Sequence, residues 1–404
     1  MDAKQTLGQP RVLISRSALL ANARFVRKLV GERVRICATV KADAYGHGSA
    51  LVADALANFL SDDSGHSAVD AFAVATTDEA ADLPLTRLPI TVLRPVENSF
   101  IGRQRAAIEL AIQWGWTLTV CSLAAVDDLS RIAQSVGKRA NVQVMIDTGM
   151  TRSGIRPGQT DEILHKIETR AALRLVGLCS HFASGEIAGH PFTIEQLNAF
   201  RSATDSYAAH NAGKVLRHIA NSGGTFFTPQ AHLDMVRPGI SLLGIDPTGM
   251  PNVARPLRPV LKWTAPIVAI HDVQPGHTVG YGQSWVAPRA TRIGVIPIGY
   301  ADGYSREFGQ GGAVMMLNGT PVPVVGRVSM DFTTVDLHDT PWAVVGDEVV
   351  VLDNDPLSPA SVYRLAEIAN TIPYEIFCRI GQRVTRVGID PVEAVSRSSI
   401  TKSA

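Results

Sequence analysis

The stretch Val34–Gly48, VRICATVKADAYGHG, decides how the rest of the chain is read. Its first seven residues form a short apolar run without alternation, as in a strand buried on both faces. The run is closed by a charged residue, Lys41, followed by small residues, Tyr45, and two glycines around His47. A buried strand that ends on a lysine has its C-terminal end at a place where charge is wanted. Upstream, SRSALLANARFVRKLVG (15–31) has apolar residues at helical spacing, Ser15 or Ser17 as cap and Gly31 as stop.

The same texture returns downstream. Apolar runs occur at AFAVA (71–75), PITVLRP (89–95), TLTVCS (117–122), VQVMID (142–147), LRLVGLCS (173–180), VLRHIAN (215–221) and DMVRPGI (234–240). Most are separated by helical segments such as RQRAAIELAIQWG (103–115), AAVDDLSRIAQSVG (124–137) and TIEQLNAFRSATDSYAAH (193–210). Eight strands alternating with helices predict an α/β fold: a closed parallel (β/α)8, TIM-type barrel. An open doubly wound sheet is the alternative, weakened because no GxGxxG follows the first strand. After Pro251 come Val/Ile/Thr-rich runs punctuated by turns, with one helix, SPASVYRLAEIAN (358–370). The division is therefore a barrel over 1–250 and a mostly-β domain over 251–404.

The bulk numbers bound the function. A chain of 404 residues is too long for one ordinary core. A net charge of +1 points to neither nucleic acid nor an anionic membrane as partner. Cys37, Cys121, Cys179 and Cys378 lie far apart, with no metal-ligand spacing and no disulfide framework. No apolar h-region opens the chain and no run approaches a membrane span, so a cytoplasmic protein is expected.

In such a barrel the chemistry sits at the C-terminal strand ends. Strand one ends at Lys41, strand five in DTGMTRSG with Asp147 and Arg152, strand six at His181, strand seven at Asn221 and Ser222, and strand eight carries Arg237. Singly, each has an ordinary role: a surface lysine, a hydrogen-bonded histidine, salt-bridge arginines, a helix cap. Convergence on one rim is the stronger observation. The glycines of NSGG and RPGI let backbone N–H groups approach a phosphate. A lysine opposite a phosphate site, with arginines near, points to pyridoxal phosphate held as a Schiff base.

The ordered motifs then resemble one family. ATVKADAYGHG, DTGMTRSG, CSHFASGE, ANSGG, VRPGISLLG, VGYGQSW, GYADGYSR, GRVSMD and IPYEIFCRI match the alanine racemases over about residues 10 to 390. The resemblance implies interconversion of L- and D-alanine, a D-alanine supply for peptidoglycan, and a homodimer with shared active sites. It makes Lys41 the cofactor lysine and one acid–base group, and Tyr281, from the partner subunit, the other. It sets Arg237 against the pyridine nitrogen and Tyr45, Ser222, Tyr374 and the backbone of Gly239 and Ile240 around the phosphate. Arg152 faces the phenolic oxygen and the substrate carboxylate, His181 lies against the ring, and Asn221 supports them. Met330 offers its amide to the carboxylate, while Tyr300, Arg306 and Ile372 line the access channel. The bulk of Ile372, Tyr374, Tyr281 and Met330 favours alanine over long side chains.

Two positions depart from the family pattern. Met145 stands where many members carry a carbamylated lysine, so Arg152 is expected to be held by an anion such as chloride or by a neighbouring polar side chain. Ser329 stands where many have cysteine. Two rivals remain at this stage: a barrel-type decarboxylase of basic amino acids, which wants an acid where Arg237 stands, and a cofactor carrier without catalysis.

Overall fold

The computed structural model describes residues 8–58, 67–84, 86–96, 98–309 and 312–389. The segment read for a targeting signal lies mostly outside these. Eight parallel strands form one sheet: Arg35–Thr39, Ala71–Val74, Ile90–Val96, Thr117–Val120, Ala140–Met145, Leu173–Cys179, Leu216–His218 and Met235–Val236. All eight coincide with the apolar runs of the sequence. The eighth strand pairs in parallel with the first through Arg35↔Met235 and Ile36↔Val236. The seventh meets the eighth through Asp234 N–H to Arg217 O (3.2 Å) and Arg237 N–H to Ala220 O (2.9 Å). The sheet is thus closed into the expected barrel.

The helices follow from the pattern on their faces. In Arg16–Val30, Leu19, Ala23, Val26 and Val30 recur at helical spacing and are buried. Ser15 Oγ accepts from Ala18 N–H, and Gly31, at φ 76°, ends the helix by donating to Arg27 O. Burying each such aliphatic side chain contributes about 1.5–3 kcal/mol. Asn22 on this helix is fully buried and fully satisfied. It donates to Leu242 O and Arg258 O and accepts from Arg258 N–H, which fixes the linker after the barrel.

The C-terminal part is mostly β. Its main sheet runs in the order Thr320–Pro323, Val314–Leu317, Glu348–Leu352, Leu261–Pro266, Arg11–Ser15, Thr385–Ile389. A three-stranded sheet (Ala269–Val273, Thr291–Ile296, Thr333–Asp336) lies beside it. The strand Arg11–Ser15, within the range assigned from sequence to the barrel unit, pairs here with Leu261–Pro266 and Thr385–Ile389. The run 261–273 splits at Ile267 into strands of two different sheets. A short helix, Pro373–Cys378, was not expected from the sequence; proline sits at its start, where a missing N–H is harmless.

Candidate active site

Lys41 follows the first barrel strand at its C-terminal end. The next four residues, Ala42, Asp43, Ala44 and Tyr45, all lie at φ 50–54°. This is one turn of left-handed helix without a glycine, which costs about 1–2 kcal/mol per residue. The turn is over-determined by its neighbours. Ala44 N–H bonds Val40 O, Gly48 N–H bonds Asp43 O, and Ser49 N–H bonds Asp43 Oδ1. Glu79 Oε1, from the short helix Thr77–Ala81 after the second strand, accepts from Ala42 N–H at 3.0 Å. The C-terminal part clamps the far end: Arg386 Nε donates to Gly46 O at 3.0 Å, and a Cβ on Gly46 would lie 2.1 Å from Phe377 O. His47 is buried against the Phe377 ring, its Nδ1 3.1 Å from Tyr45 O.

Partial burial and the positive charges of Arg152 and Arg237 push the Lys41 ammonium below the usual lysine range, against weaker opposition from Glu79 and Cys378. The neutral, nucleophilic amine is thereby favoured. Arg237 is buried at 4% exposure and no carboxylate pairs with it among the described residues. Its guanidinium donates to Ser180 O (2.7 Å), His218 Nδ1 (2.5 Å), His181 Nδ1 (3.2 Å) and Ile219 O (3.4 Å). Burial, then Arg237 itself, holds His181 and His218 well below the usual histidine range, so both are neutral acceptors. The adjacent Cys37 and Cys179 thiols are pushed up to about 12 by burial and supply no counter-charge.

Ser222, Gly239 and Tyr45 form a cradle beside these groups. Ser222 Oγ accepts from Gly239 N–H at 2.9 Å and Ser241 N–H at 3.4 Å. A Cβ on Gly239 would sit 2.3 Å from Tyr45 Oη, so only glycine fits. Asn221 caps the helix Ser222–Phe227, its Oδ1 accepting from Gly224 N–H. Ile240 is buried next to Gly239. Tyr374 meets the Tyr45 ring edge-on at 5.9 Å. Burial raises the hydroxyl pKa values of both tyrosines, so both act as neutral donors.

Asp147 Oδ1 accepts from Gly149 and Thr151 N–H and shapes the loop that carries Arg152. Arg152 is exposed, and no carboxylate pairs with it among the described residues. A small cavity beside it is walled by Met145, Asp147, Ser180 and His181. Met145 is buried with its sulfur 3.8 Å from Cys179 Sγ, so it belongs to the packing between strands five and six.

The remaining expected residues stand apart. Tyr281 follows Gly280 (φ 78°) and is 70% exposed; it is not among the groups that act on Lys41. Tyr300 and Met330 share a corner, where Tyr300 N–H bonds Ser329 O and Ala301 N–H bonds Met330 O. Met330 and Ile372 are 53% and 56% exposed, and Arg306 is exposed as well.

Comparison with known proteins gives the family. The model of the alanine racemase N-terminal domain matches residues 14–247 and that of the C-terminal domain residues 260–388. The chain belongs to the alanine racemase family. It is 38% identical to the alanine racemase of Nitrosococcus oceani over 93% of this chain and 98% of that one. The alanine racemase of Streptomyces coelicolor A3(2) superposes with a TM-score of 0.83 at 32% identity, over 96% of this chain and 100% of that one. That of Bartonella henselae, solved with covalently bound pyridoxal phosphate, gives 0.79 at 28% identity over 94% and 99%.

For an alanine racemase fold, two supporting residues had not been singled out from the sequence. Glu79 completes a capping box with Thr76, a Thr-x-x-Glu signal visible after the second strand. Its contact with Ala42 was not visible, because nothing in ADAY announces a left-handed turn. His218 sits inside the seventh strand, three residues before Asn221.

Proposed function

We propose that this chain interconverts L- and D-alanine with pyridoxal phosphate held at Lys41, and that each active site of a homodimer is completed by Tyr281 of the other copy. Racemisation of alanine is the activity of the family to which the chain belongs. The cofactor reading rests on the fit of the donor set. A partly buried lysine favoured as the free amine stands beside a cradle that excludes a Cβ, and an arginine without an acid partner lies between them and two neutral histidines. Bound there, pyridoxal phosphate supplies a sink for the charge that develops when Cα loses its proton.

The chain's own groups do the rest. Lys41 Nζ moves the proton on one face of Cα, and Tyr281 Oη on the other. One group cannot serve both faces, which is why a base at each side is the economical arrangement. Arg237 would face the pyridine nitrogen of the bound cofactor; a guanidinium does not readily surrender a proton, so it would keep that nitrogen unprotonated and favour return of the proton to Cα over transamination. Ser222, Tyr45, Tyr374 and the Gly239–Ile240 backbone would hold its phosphate. Asn221 keeps this cradle in place, and His181 would lie against its ring. Arg152 and the Met330 amide receive the substrate carboxylate, with an anion or Ser180 beside the guanidinium in place of a carbamylated lysine. Tyr300, Arg306 and Ile372 line the channel.

The homodimer reading is supported by the exposure of Tyr281 and Met330, which no contact within the chain directs at Lys41. No helix among the described residues is long and apolar enough to cross a membrane. A cytoplasmic role in peptidoglycan precursor supply fits four cysteines that form no disulfide. The observation that carries the reading is Lys41, depressed in pKa, on the rim it shares with Arg237. The test incubates holoprotein with L-alanine in D2O. D-alanine carrying deuterium at Cα is expected; unlabelled L-alanine alone would overturn the reading.

A further inference from the structure

The opposite end of the barrel carries a cavity. The strand starts Arg35, Ala71, Ile90, Thr117, Leu216 and Met235 surround a cavity of about 490 Å³ at the N-terminal mouth, the end away from Lys41. It reaches inward to Gln143 and His218. Four cations from four different segments line it: Arg35, Arg87, Arg174 and Lys214. All four are exposed, and among the described residues none is in an ion pair and no carboxylate lines the cavity. The acids adjacent in sequence are already engaged, Asp70 by Arg27 and the Ile36 N–H, and Asp234 by Arg217. In a chain of net charge +1, this is a local concentration of unpaired positive charge around a concave surface.

One wall of the mouth is aromatic. Trp114, 57% exposed at the end of the helix Asn98–Trp114, and Trp116 line it, and both also line a second cavity of about 270 Å³. The rest of that second cavity is mostly apolar, with Leu83 and Leu110. A mostly apolar hollow therefore opens beside three guanidinium groups and one ammonium, and both volumes are of small-molecule scale. Arginine forks match phosphate oxygens, and an exposed indole such as that of Trp114 stacks on bases, with the buried Trp116 behind it.

We propose that the N-terminal mouth of the barrel binds a nucleoside polyphosphate, the base against the exposed ring of Trp114 and the phosphates among Arg35, Arg87, Arg174 and Lys214. This inference is independent of the alanine chemistry at the other end. The test titrates holoenzyme with ATP, without divalent cations and at low salt, by calorimetry, with inorganic triphosphate as comparator. Saturable binding of one ATP per chain is expected, weakened about tenfold or more in the Arg35→Ala/Arg174→Ala double variant and falling with added salt. Trp114→Ala is expected to abolish the preference for ATP over triphosphate. Both variants change exposed side chains outside the active site, so unchanged racemisation confirms that they are folded. Absence of saturable binding at millimolar ATP, binding indifferent to the double substitution, or triphosphate bound as tightly as ATP by the unaltered protein would overturn the proposal.

Discussion

At the barrel rim, Arg237 and Tyr45 are buried, Lys41 is half-buried, and the turn between Lys41 and Tyr45 is clamped from both sides. On the C-terminal part, Tyr281, Met330 and Ile372 are more than half exposed. The rim is finished within one chain, whereas the second group of expected site residues is laid out on a surface. The difference shows where each part gets its order. Rim residues are positioned by strands whose partners are fixed by the core. Tyr281 and Met330 are positioned by glycine corners: Gly280 allows the turn before Tyr281, and Gly299 passes so close to Met330 O that a Cβ would lie 2.2 Å away. They are pre-shaped, but what they face is proposed to come from a second copy.

Substitutions separate the two regions. Lys41→Ala removes both the cofactor anchor and one acid–base group, and kcat is expected to fall by at least about four orders of magnitude with loss of the bound cofactor's absorbance. Tyr281→Phe deletes one proton-transfer group, with an expected loss of about 100- to 10,000-fold in kcat while the cofactor absorbance is retained. A variant that lost the cofactor would place Tyr281 in the cradle instead. Arg237→Gln leaves both bases in place. Racemisation is expected to drop about 10- to 100-fold, and pyruvate formed per racemisation event to rise, since the neutral amide no longer opposes protonation of the ring nitrogen.

The smallest effect is on stability and belongs to the rim. His47 is buried and neutral, with its pKa lowered to about 4 by burial. The unfolded chain takes up this proton near the ordinary histidine value of about 6.5. Stability is therefore intact above that value and declines as pH falls toward 4, by about 3 kcal/mol for this residue. His181 and His218 are lowered too and act in the same direction. Thermal unfolding between pH 7.5 and 5 checks this; a flat midpoint would contradict it, and His47→Gln should flatten the slope by its share.

Much of this was readable from residues alone. The eight barrel strands are buried on both faces, so their apolar runs are continuous, and polar residues at their ends mark the rim. Arg11–Ser15 was not readable as part of the C-terminal sheet: five residues carry little pattern, and their partners lie about 250 and 370 residues away. The left-handed turn is likewise imposed by Glu79 and Arg386 rather than by glycine. Arg237's partner His218 lay inside a strand where burial was expected, and only the closed barrel brings the two together. Tyr281 was legible through the family motif VGYGQSW, whereas its own surroundings are solvent.

Sharing of the site between two copies is the central claim, and mixing variants tests it most directly. Lys41→Ala and Tyr281→Ala proteins, each inactive, are denatured together, refolded with pyridoxal phosphate and assayed for racemisation. If Tyr281 serves the partner's Lys41, each hybrid dimer contains one unaltered site, and random pairing restores about a quarter of wild-type activity. If both groups act within one chain, every site in the mixture is defective, and the absence of rescue would contradict the account.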